Sequence, residues 1–597
     1  MNAILGAEAP SNTLASRKSL AVSPSALFAQ QLSGVCNRLC GNTNEIELVE
    51  KTIQLVLEAL EAGQVSLNMQ DAVLSSGAET VEVWQQKLIE AGVAAEPEGF
   101  APLIVDNGHL YLARYHLYHS KLNQRLNQLA TEAAVTVNEK QTIETLNRLF
   151  SETDISPNWQ KVAAALALTK RLCVISGGPG TGKTTTVLRL LAALCTTNKK
   201  LRIRLAAPTG KAAARMQESI RNNLADLDCD ESIKQQLQLQ ASTLHRLLGY
   251  KPNSVNFRHH ERNPLAVDVL VIDESSMIDS AMMSKCLDAL PANARVILLG
   301  DKDQLAAVDP GSPFASICKQ FGFSQAFADN LSHLSGQSLA GFTSDQPQAL
   351  ADNLVFLHHS YRFDDKSGIG QLAKAINAGE NDKAVALMAC TDYLDIEWVD
   401  YKAQEYRRYS SKELDPLISK VKLGFKPFLH ALHQKKVEPE KVFEAFNQFC
   451  LLTAMHKGFC GRIETNNLCQ KALGFTEDKI WYHGRPVMVS NNDYQTGLYN
   501  GDVGICLDLE SNGQLRVYFP TSEGFKDFTP SRIPVHETAF AITVHKSQGS
   551  EFTEVLFLLP DTANSVFNKA LVYTAITRAK KQVELWGQHE VLLACES

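Results

Sequence analysis

The residues best suited to chemistry stand in VISGGPGTGKTTT, residues 174–186, where glycines, a lysine and threonines follow an apolar run. The spacing of Gly177, Gly182, Lys183 and Thr184 is that of a phosphate-binding loop, filled by Gly178, Pro179, Gly180 and Thr181 and followed by Thr185. Glycines let backbone N–H groups turn inward onto phosphate oxygens, and the next helix adds its positive end. Lys183 would meet the β- and γ-phosphates of ATP, and the Thr184 hydroxyl would bind Mg²⁺.

A second set ends the apolar strand VLVI. Asp273 can hold the Mg²⁺ shell with Thr184, and Glu274 can orient or deprotonate an attacking water. Taken alone, two solvated acids at a helix start would look the same. The third element is LLGDKDQLAAVDPG (298–311), where Gln304 follows a strand end expected to neighbour the Asp273 strand. A neutral amide there can hydrogen-bond both a γ-phosphate and a lytic water. Far along the chain, LVYTAITRAK (571–580) carries Arg578, which is either an exposed surface charge or a second cation for the same nucleotide.

Such groups must be held at strand ends. RLCVIS (171–176), LRIRLAA (201–207), VDVLVID (267–273) and ARVILLG (294–300) are near-continuous apolar runs, each preceding a helical pattern. They predict a parallel sheet covered on both faces, with ligands beyond the strand C-termini. FCLLTAM (449–455), FAITV (540–544), EVLFLL (554–559) and VELWG (583–587) predict a second α/β domain. Short strands punctuated by Asn-Gly at 500–501 and 512–513 predict a small β-barrel inserted in it. Residues 1 to about 135 pattern mostly as helix, with a strand passing into a helix at 108–126, and suit docking or scaffolding. Residues 321–350 show weak periodicity and predict a long insertion, and the lysine-rich stretch 402–442 predicts a solvated amphipathic helix.

Composition bounds the rest. With 597 residues, 45% hydrophobic and 21% charged, the chain is globular and has several cores. The N-terminus, with Glu8 and Pro10, lacks the pattern of a secretory signal, and no apolar run reaches membrane-span length. Thirteen scattered cysteines suggest reduced thiols in a cytoplasm, and Cys36 and Cys40 read as core thiols on adjacent helical turns. A net charge of −7 disfavours a nonspecific DNA coat but not a channel with a basic groove.

The ordered series of motifs over about 155–590 resembles the superfamily-one DNA helicases. NWQKVAAALA (158–167) is similar to their adenine-recognising segment, which implies that Gln160 meets the base. AAPTGKAAARM (206–216) and STLHRLLG (242–249) resemble segments that hold single-stranded DNA, implying contacts from Thr209, Lys211, Thr243 and His245. HHSYRF (358–363), ITVHKSQGSEF (542–552) and VYTAITRAK (572–580) resemble later motifs. They imply arginine fingers at Arg362 and Arg578 projecting from the second domain, DNA contacts from Thr543 and His545, Gln548 near the phosphates and Glu551 at the ribose. A satisfied structural histidine is the alternative for His545.

The fold implied is α/β. Two RecA-like parallel-sheet motor domains span 136–355 and 356–597, the second with an insertion at about 401–535, after a mainly helical partner-docking domain at 1–135. The wording of the last motifs is most similar to the branch found in RecBCD-type helicase–nucleases. That resemblance implies 5′-to-3′ translocation on single-stranded DNA, action at double-strand ends, and assembly with RecB-like and RecC-like subunits that carry any nuclease site. A standalone helicase of the same superfamily and a non-translocating regulatory P-loop subunit are the alternatives.

Overall fold

The computed structural model describes residues 32–34, 36, 38, 45–131, 138–151, 156–198, 200–252, 254–307, 309–363, 366–403, 405, 415–475, 479–493, 495–510, 512–521, 524–563 and 567–595. The first twenty residues, Cys40 and much of the stretch 404–414 lie outside them. Two compact units result, Met1–Leu117 and Tyr118–Ser597.

In the first unit the helices Ile46–Glu61, Met69–Ser76 and Val81–Glu90 accompany four short strands, β1 (Ser66–Asn68), β2 (Ala94–Ala95), β3 (Leu103–Asp106) and β4 (His109–Leu112), in the order β1-β4-β3-β2. Val49, Ile53 and Val56 recur at helical spacing and bury one face of the first helix beside the fully buried Trp84 and Cys36. The Trp84 indole N–H donates to Thr52 Oγ1 at 2.9 Å. Asn107 and Gly108, with φ of +48° and +75°, turn β3 into β4 as a two-residue hairpin. Leu122, Leu126 and Leu129 pack into a core of the second unit, so the compact break falls at 117/118 and not near 135.

The second unit holds two parallel sheets. The first contains β5 (Leu172–Gly177), β6 (Ile203–Ala207), β7 (Ala241–Thr243), β8 (Val269–Ile272), β9 (Arg295–Gly300) and β10 (Leu354–Leu357), ordered β10-β5-β9-β8-β6-β7. β5, β8 and β9 are buried along nearly their whole length, as expected for strands covered on both faces. The β8–β9 pairing puts Asp273 and Gln304 at the ends of neighbouring strands. The stretch 321–350, whose weak periodicity suggested a long, partly mobile insertion, packs into the core around the first sheet. It forms the helix Gln325–Ser335, whose Ala328, Leu331 and Leu334 bury against the helix Trp159–Thr169 and its surroundings.

The second sheet comprises β11 (Ile396–Asp400) and β12 (Phe449–Thr453), then, after an antiparallel insertion, three further strands. The insertion runs β13 (Pro486–Val489), β14 (Val503–Leu507), β15 (Arg516–Thr521), β16 (Gly524–Phe528) and β17 (His536–Thr538). The sheet resumes with β18 (Ala541–Thr543), β19 (Phe552–Leu558) and β20 (Ala579–Gly587), in the order β11-β20-β19-β12-β18. Gly501 and Gly513 take the positive φ expected of Asn-Gly turns. The inserted sheet is ordered β16-β15-β14-β13-β17, and its outer strands β16 and β17 do not pair among the described residues, so it is open and not a closed barrel. Between β11 and β12, three helices within 416–446 bury Phe425, Phe428 and Phe446. Lys422, Lys426 and Lys441 lie on the exposed face of these helices, with Lys435 and Lys436 exposed between them, as the amphipathic pattern predicts, while Lys420 turns in to pair with the buried Glu584.

Candidate nucleotide and nucleic-acid site

The glycine turn after β5 adopts the conformation its sequence demands. Gly180 and Gly182 have φ of +76° and +78°, where side-chain-bearing residues are strained. The helix Lys183–Thr197 starts directly on Gly182 with no side-chain cap, so its first N–H groups are left for an anion. Lys183 Nζ donates to the carbonyls of Gly177 (2.5 Å) and Gly178 (3.1 Å), which holds the ammonium over the loop. Thr184 and Thr185, half-buried, follow in the first turn.

Gln160 packs on the same loop. Asn158 caps its helix by accepting from Lys161 N, and Gln160 Nε2 donates to Thr181 O at 3.1 Å. Beside it a small pocket is lined by Pro157, Gln160, Thr181, His359 and Tyr361, with the His359 and Tyr361 rings edge-on at 4.7 Å. The side chain that resemblance assigned to a base thus borders this small pocket while also bracing the loop.

Asp273 leaves β8 with its N–H donating to Ala206 O at 2.9 Å. Glu274 sits at φ +52°, ψ +41°, a left-handed conformation rare outside glycine, and its N–H donates to Asp273 Oδ1 at 2.9 Å. Burial and the adjacent Glu274 charge push Asp273 up to about 6, against the pull of Lys183. At the end of β9, Asp301 is buried, and burial raises its carboxyl despite Lys183. Its Oδ2 accepts from Gln304 Nε2 (3.1 Å) and from the Tyr573 hydroxyl (3.0 Å). Gln304 Oε1 is buried with no hydrogen-bond partner. Neither Asp301 nor Tyr573 was singled out from sequence. The available signal was Asp301's place, since it follows its apolar strand as Asp273 follows β8.

The two lobes meet on these residues. Leu305 N donates to Thr574 Oγ1 at 2.9 Å, and Gln548 Nε2 to Leu305 O at 2.9 Å. Gln548 is therefore an interlobe brace, its amide N–H given to the residue after Gln304. A Cβ on Gly178 would lie 3.0 Å from the Tyr573 hydroxyl, so that ring stands directly over the loop. Arg578 is buried, its Nε donating to Thr574 O (3.1 Å) and its Nη1 to Ser550 O (3.2 Å). Burial lowers its pKa, and the nearby charge of Glu274 works in the other direction.

Arg362 differs from expectation. It does not project from the second sheet. Residues 358–363 leave β10 of the first sheet, and Ser360 Oγ donates to Pro179 O at 3.1 Å while Tyr361 N donates to Gly180 O at 2.9 Å. The loop itself thus holds Arg362, whose Nη2 reaches Glu551 Oε1 at 2.7 Å while its Nη1 is buried without a partner. Glu551 also pairs with Arg215 and lies 3.7 Å from Lys580. Burial opposes its charge, yet Arg215 and Arg362 hold the carboxyl down to about 2. Its contacts are arginines and not an open sugar site.

The residues assigned to DNA fall at strand C-termini. Thr209 follows β6 and caps the helix Gly210–Leu224, with Lys211 half-buried in the first turn and lowered to about 8 by burial. Thr243 ends β7, the edge of the first sheet, and accepts from Arg246 N. Thr543 ends β18, an edge of the second sheet. Each is followed by a short helix containing a histidine two positions on, His245 or His545, and burial lowers both. The same Thr-x-His turn thus stands at one edge of each lobe. His245 also packs edge-on against Phe257 at 5.6 Å.

Residues 160–310 match the model of an AAA domain, and residues 538–585 that of a UvrD-like helicase C-terminal domain. The chain is 35% identical over 546 residues to the RecBCD enzyme subunit RecD of Haemophilus influenzae, covering 86% of this chain and 82% of that protein. To the RecBCD enzyme subunit RecD of Mycolicibacterium smegmatis it is 34% identical over 563 residues, covering 92% and 91%. It is 30% identical over 416 residues to the ATP-dependent RecD2 DNA helicase of Deinococcus radiodurans, covering 69% of this chain and 46% of that protein.

Proposed function

The chain belongs to the RecD family, and on that premise we propose that it is an ATP-hydrolysing DNA helicase. It translocates 5′-to-3′ on single-stranded DNA as one subunit of a RecBCD-type helicase–nuclease, in complex with RecB-like and RecC-like chains. It works in the cytoplasm at double-strand ends in recombinational repair. The observation that carries the reading is the junction of Asp301, Gln304 and Tyr573 over the phosphate loop, where hydrolytic groups of one lobe are hydrogen-bonded to the other.

Lys183 and the uncapped helix start take the β- and γ-phosphates of ATP, and Gln160 orients the base. Thr184 and Asp273 would hold Mg²⁺. Their donors are all oxygen, and burial beside the Glu274 charge raises the Asp273 carboxyl, a crowding of acids that suits a hard divalent cation. Bound there, Mg²⁺ would neutralise charge on the phosphates. Glu274 accepts a proton from the attacking water, and Gln304 offers its free carbonyl oxygen to orient that water. Arg362 and Arg578 stabilise charge on the transferring group.

The lobes then act as two grips. Thr209, Lys211, Thr243 and His245 hold backbone phosphates on the first, and Thr543 and His545 on the second, with little regard for base identity. ATP bridges the lobes, and hydrolysis releases them, so the spacing of the grips changes with each cycle. The first lobe ends with β10 and the segment 358–363 that leaves it, the second carries the insertion at about 401–535, and the N-terminal segment docks partners.

The test is ATP turnover with and without oligo-dT, together with strand displacement on 5′-tailed and 3′-tailed duplexes. Lys183→Gln is expected to abolish DNA-stimulated hydrolysis while the far-UV spectrum is unchanged. Near-normal turnover in that variant would reject the site, and displacement of only the 3′-tailed duplex would reject the polarity.

A further inference from the structure

Glu551 gathers three cations from two sources. Arg215 and Arg362 reach it from the first lobe, and Lys580 lies on its own lobe. Arg362 has its second terminal nitrogen buried and unpaired, so it is incompletely satisfied by the one carboxylate oxygen it shares. A nucleotide phosphate arriving over Lys183 would offer that nitrogen a stronger acceptor. Glu551 would then be held across the cleft by Arg215 alone, with Lys580 beside it on its own lobe.

Arg215 is not anchored at random. It lies one turn after Lys211 on the helix Gly210–Leu224, so the two share a face. The N-terminus of that helix, capped by Thr209, is the first lobe's proposed grip on DNA. It is closely overlain from the second lobe, since a Cβ on Gly210 would lie 3.1 Å from the Tyr499 ring. Arg215 is also within electrostatic reach of Glu274 and Asp273. One rigid helix thus spans the distance from strand contact to the charges around the nucleotide.

We propose that Arg215 is a positioning residue that transmits DNA occupancy to hydrolysis. By holding Glu551 across the cleft, it frees Arg362 for the terminal phosphate once the strand has fixed the helix. This rests on the helicase reading above and deepens it. It assigns to the Arg215–Glu551 bridge the coupling that a translocase needs.

The experiment is steady-state ATP hydrolysis by the full chain, purified with whatever subunits accompany it, with and without saturating oligo-dT. The Lys183→Gln preparation serves as background for hydrolysis by other subunits. Arg215→Ala is expected to lower the oligo-dT-stimulated kcat at least tenfold. Its KM for ATP, its DNA-free rate and its oligo-dT affinity by fluorescence anisotropy should each stay within about twofold. Arg215→Lys, which keeps the charge, should retain at least half the stimulation. Full stimulation in Arg215→Ala would overturn the proposal, as would equal loss of the DNA-free and stimulated rates, or loss of DNA affinity. Arg215→Lys as impaired as Arg215→Ala would overturn it too. A wild-type chain that oligo-dT does not stimulate would instead refute the helicase reading and this inference together.

Discussion

The Tyr573 hydroxyl donates to Asp301 Oδ2 at 3.0 Å, tying the last motif of the chain to a strand end beside the phosphate loop. Both groups are buried, and the same oxygen also receives the Gln304 amide. The bond therefore fixes the residue expected to orient water by means of a residue from the opposite lobe.

Removing that donor is the first test. In Tyr573→Phe, Asp301 keeps its burial but loses one partner, a cost of about 1–3 kcal/mol. The expected result is a fall in kcat of about tenfold to a hundredfold with the melting temperature lowered by only a few degrees. Unchanged kcat would show that the bond has no part in closure.

Gly180 supplies the second. Its φ is +76°, and a Cβ there would stand 2.4 Å from Arg362 Cβ, a stem and not a flexible tip. Gly180→Ala must distort the loop or expel residues 360–362. A weakening of ATP affinity of about tenfold or more is expected in a fluorescent-nucleotide titration, while circular dichroism stays native. Normal affinity would mean that loop and arginine segment are not in contact.

The third concerns the fork of Arg578. Its Nε and Nη1 donate to two different carbonyls, which one lysine ammonium on a shorter stem cannot reproduce. Arg578→Lys preserves charge, so ATP affinity should hold while kcat drops on the order of 10³-fold. A kcat within tenfold of wild type would assign Arg578 to structure alone.

Glu551 sets the fourth, through pH. Its carboxyl falls from 4.5 to about 2, because Arg215 and Arg362 outweigh burial. A lowered folded-state pKa contributes stability that is present above pH 4.5 and is lost as pH falls toward 2. Glu551→Gln should thus show its largest deficit at neutral pH, on the order of 3 kcal/mol, narrowing below pH 4.5. Melting temperatures of both proteins from pH 7 to pH 4 measure it, and a deficit that grows on acidification contradicts the pairing.

Local readings were strongest where one short segment carries its own constraint. The glycines of 177–182 and the acids after VLVI could be placed because turn geometry and strand ends are properties of neighbouring residues. The alternation of apolar runs with helical patterns likewise placed β5, β6, β8 and β9, since a sheet buried on both faces admits little else. Weak periodicity misled at 321–350, where a helix buries one narrow stripe of Ala328, Leu331 and Leu334 among polar residues. The antiparallel strands were legible from their Asn-Gly turns. Closure of that sheet was not, because closure depends on whether β16 reaches β17.

By itself the sequence determined which residues are candidates to meet a nucleoside triphosphate and, for the glycine turn after β5 and the acids after β8, on which strand ends they stand, because those constraints act over a few residues. Tertiary structure alone decided that Arg362 is held by the phosphate loop, that Gln548 braces Leu305, and that Glu551 binds Arg215 and Arg362. Charged side chains choose partners by distance in space after two sheets have closed on each other, and no spacing along the chain records that choice.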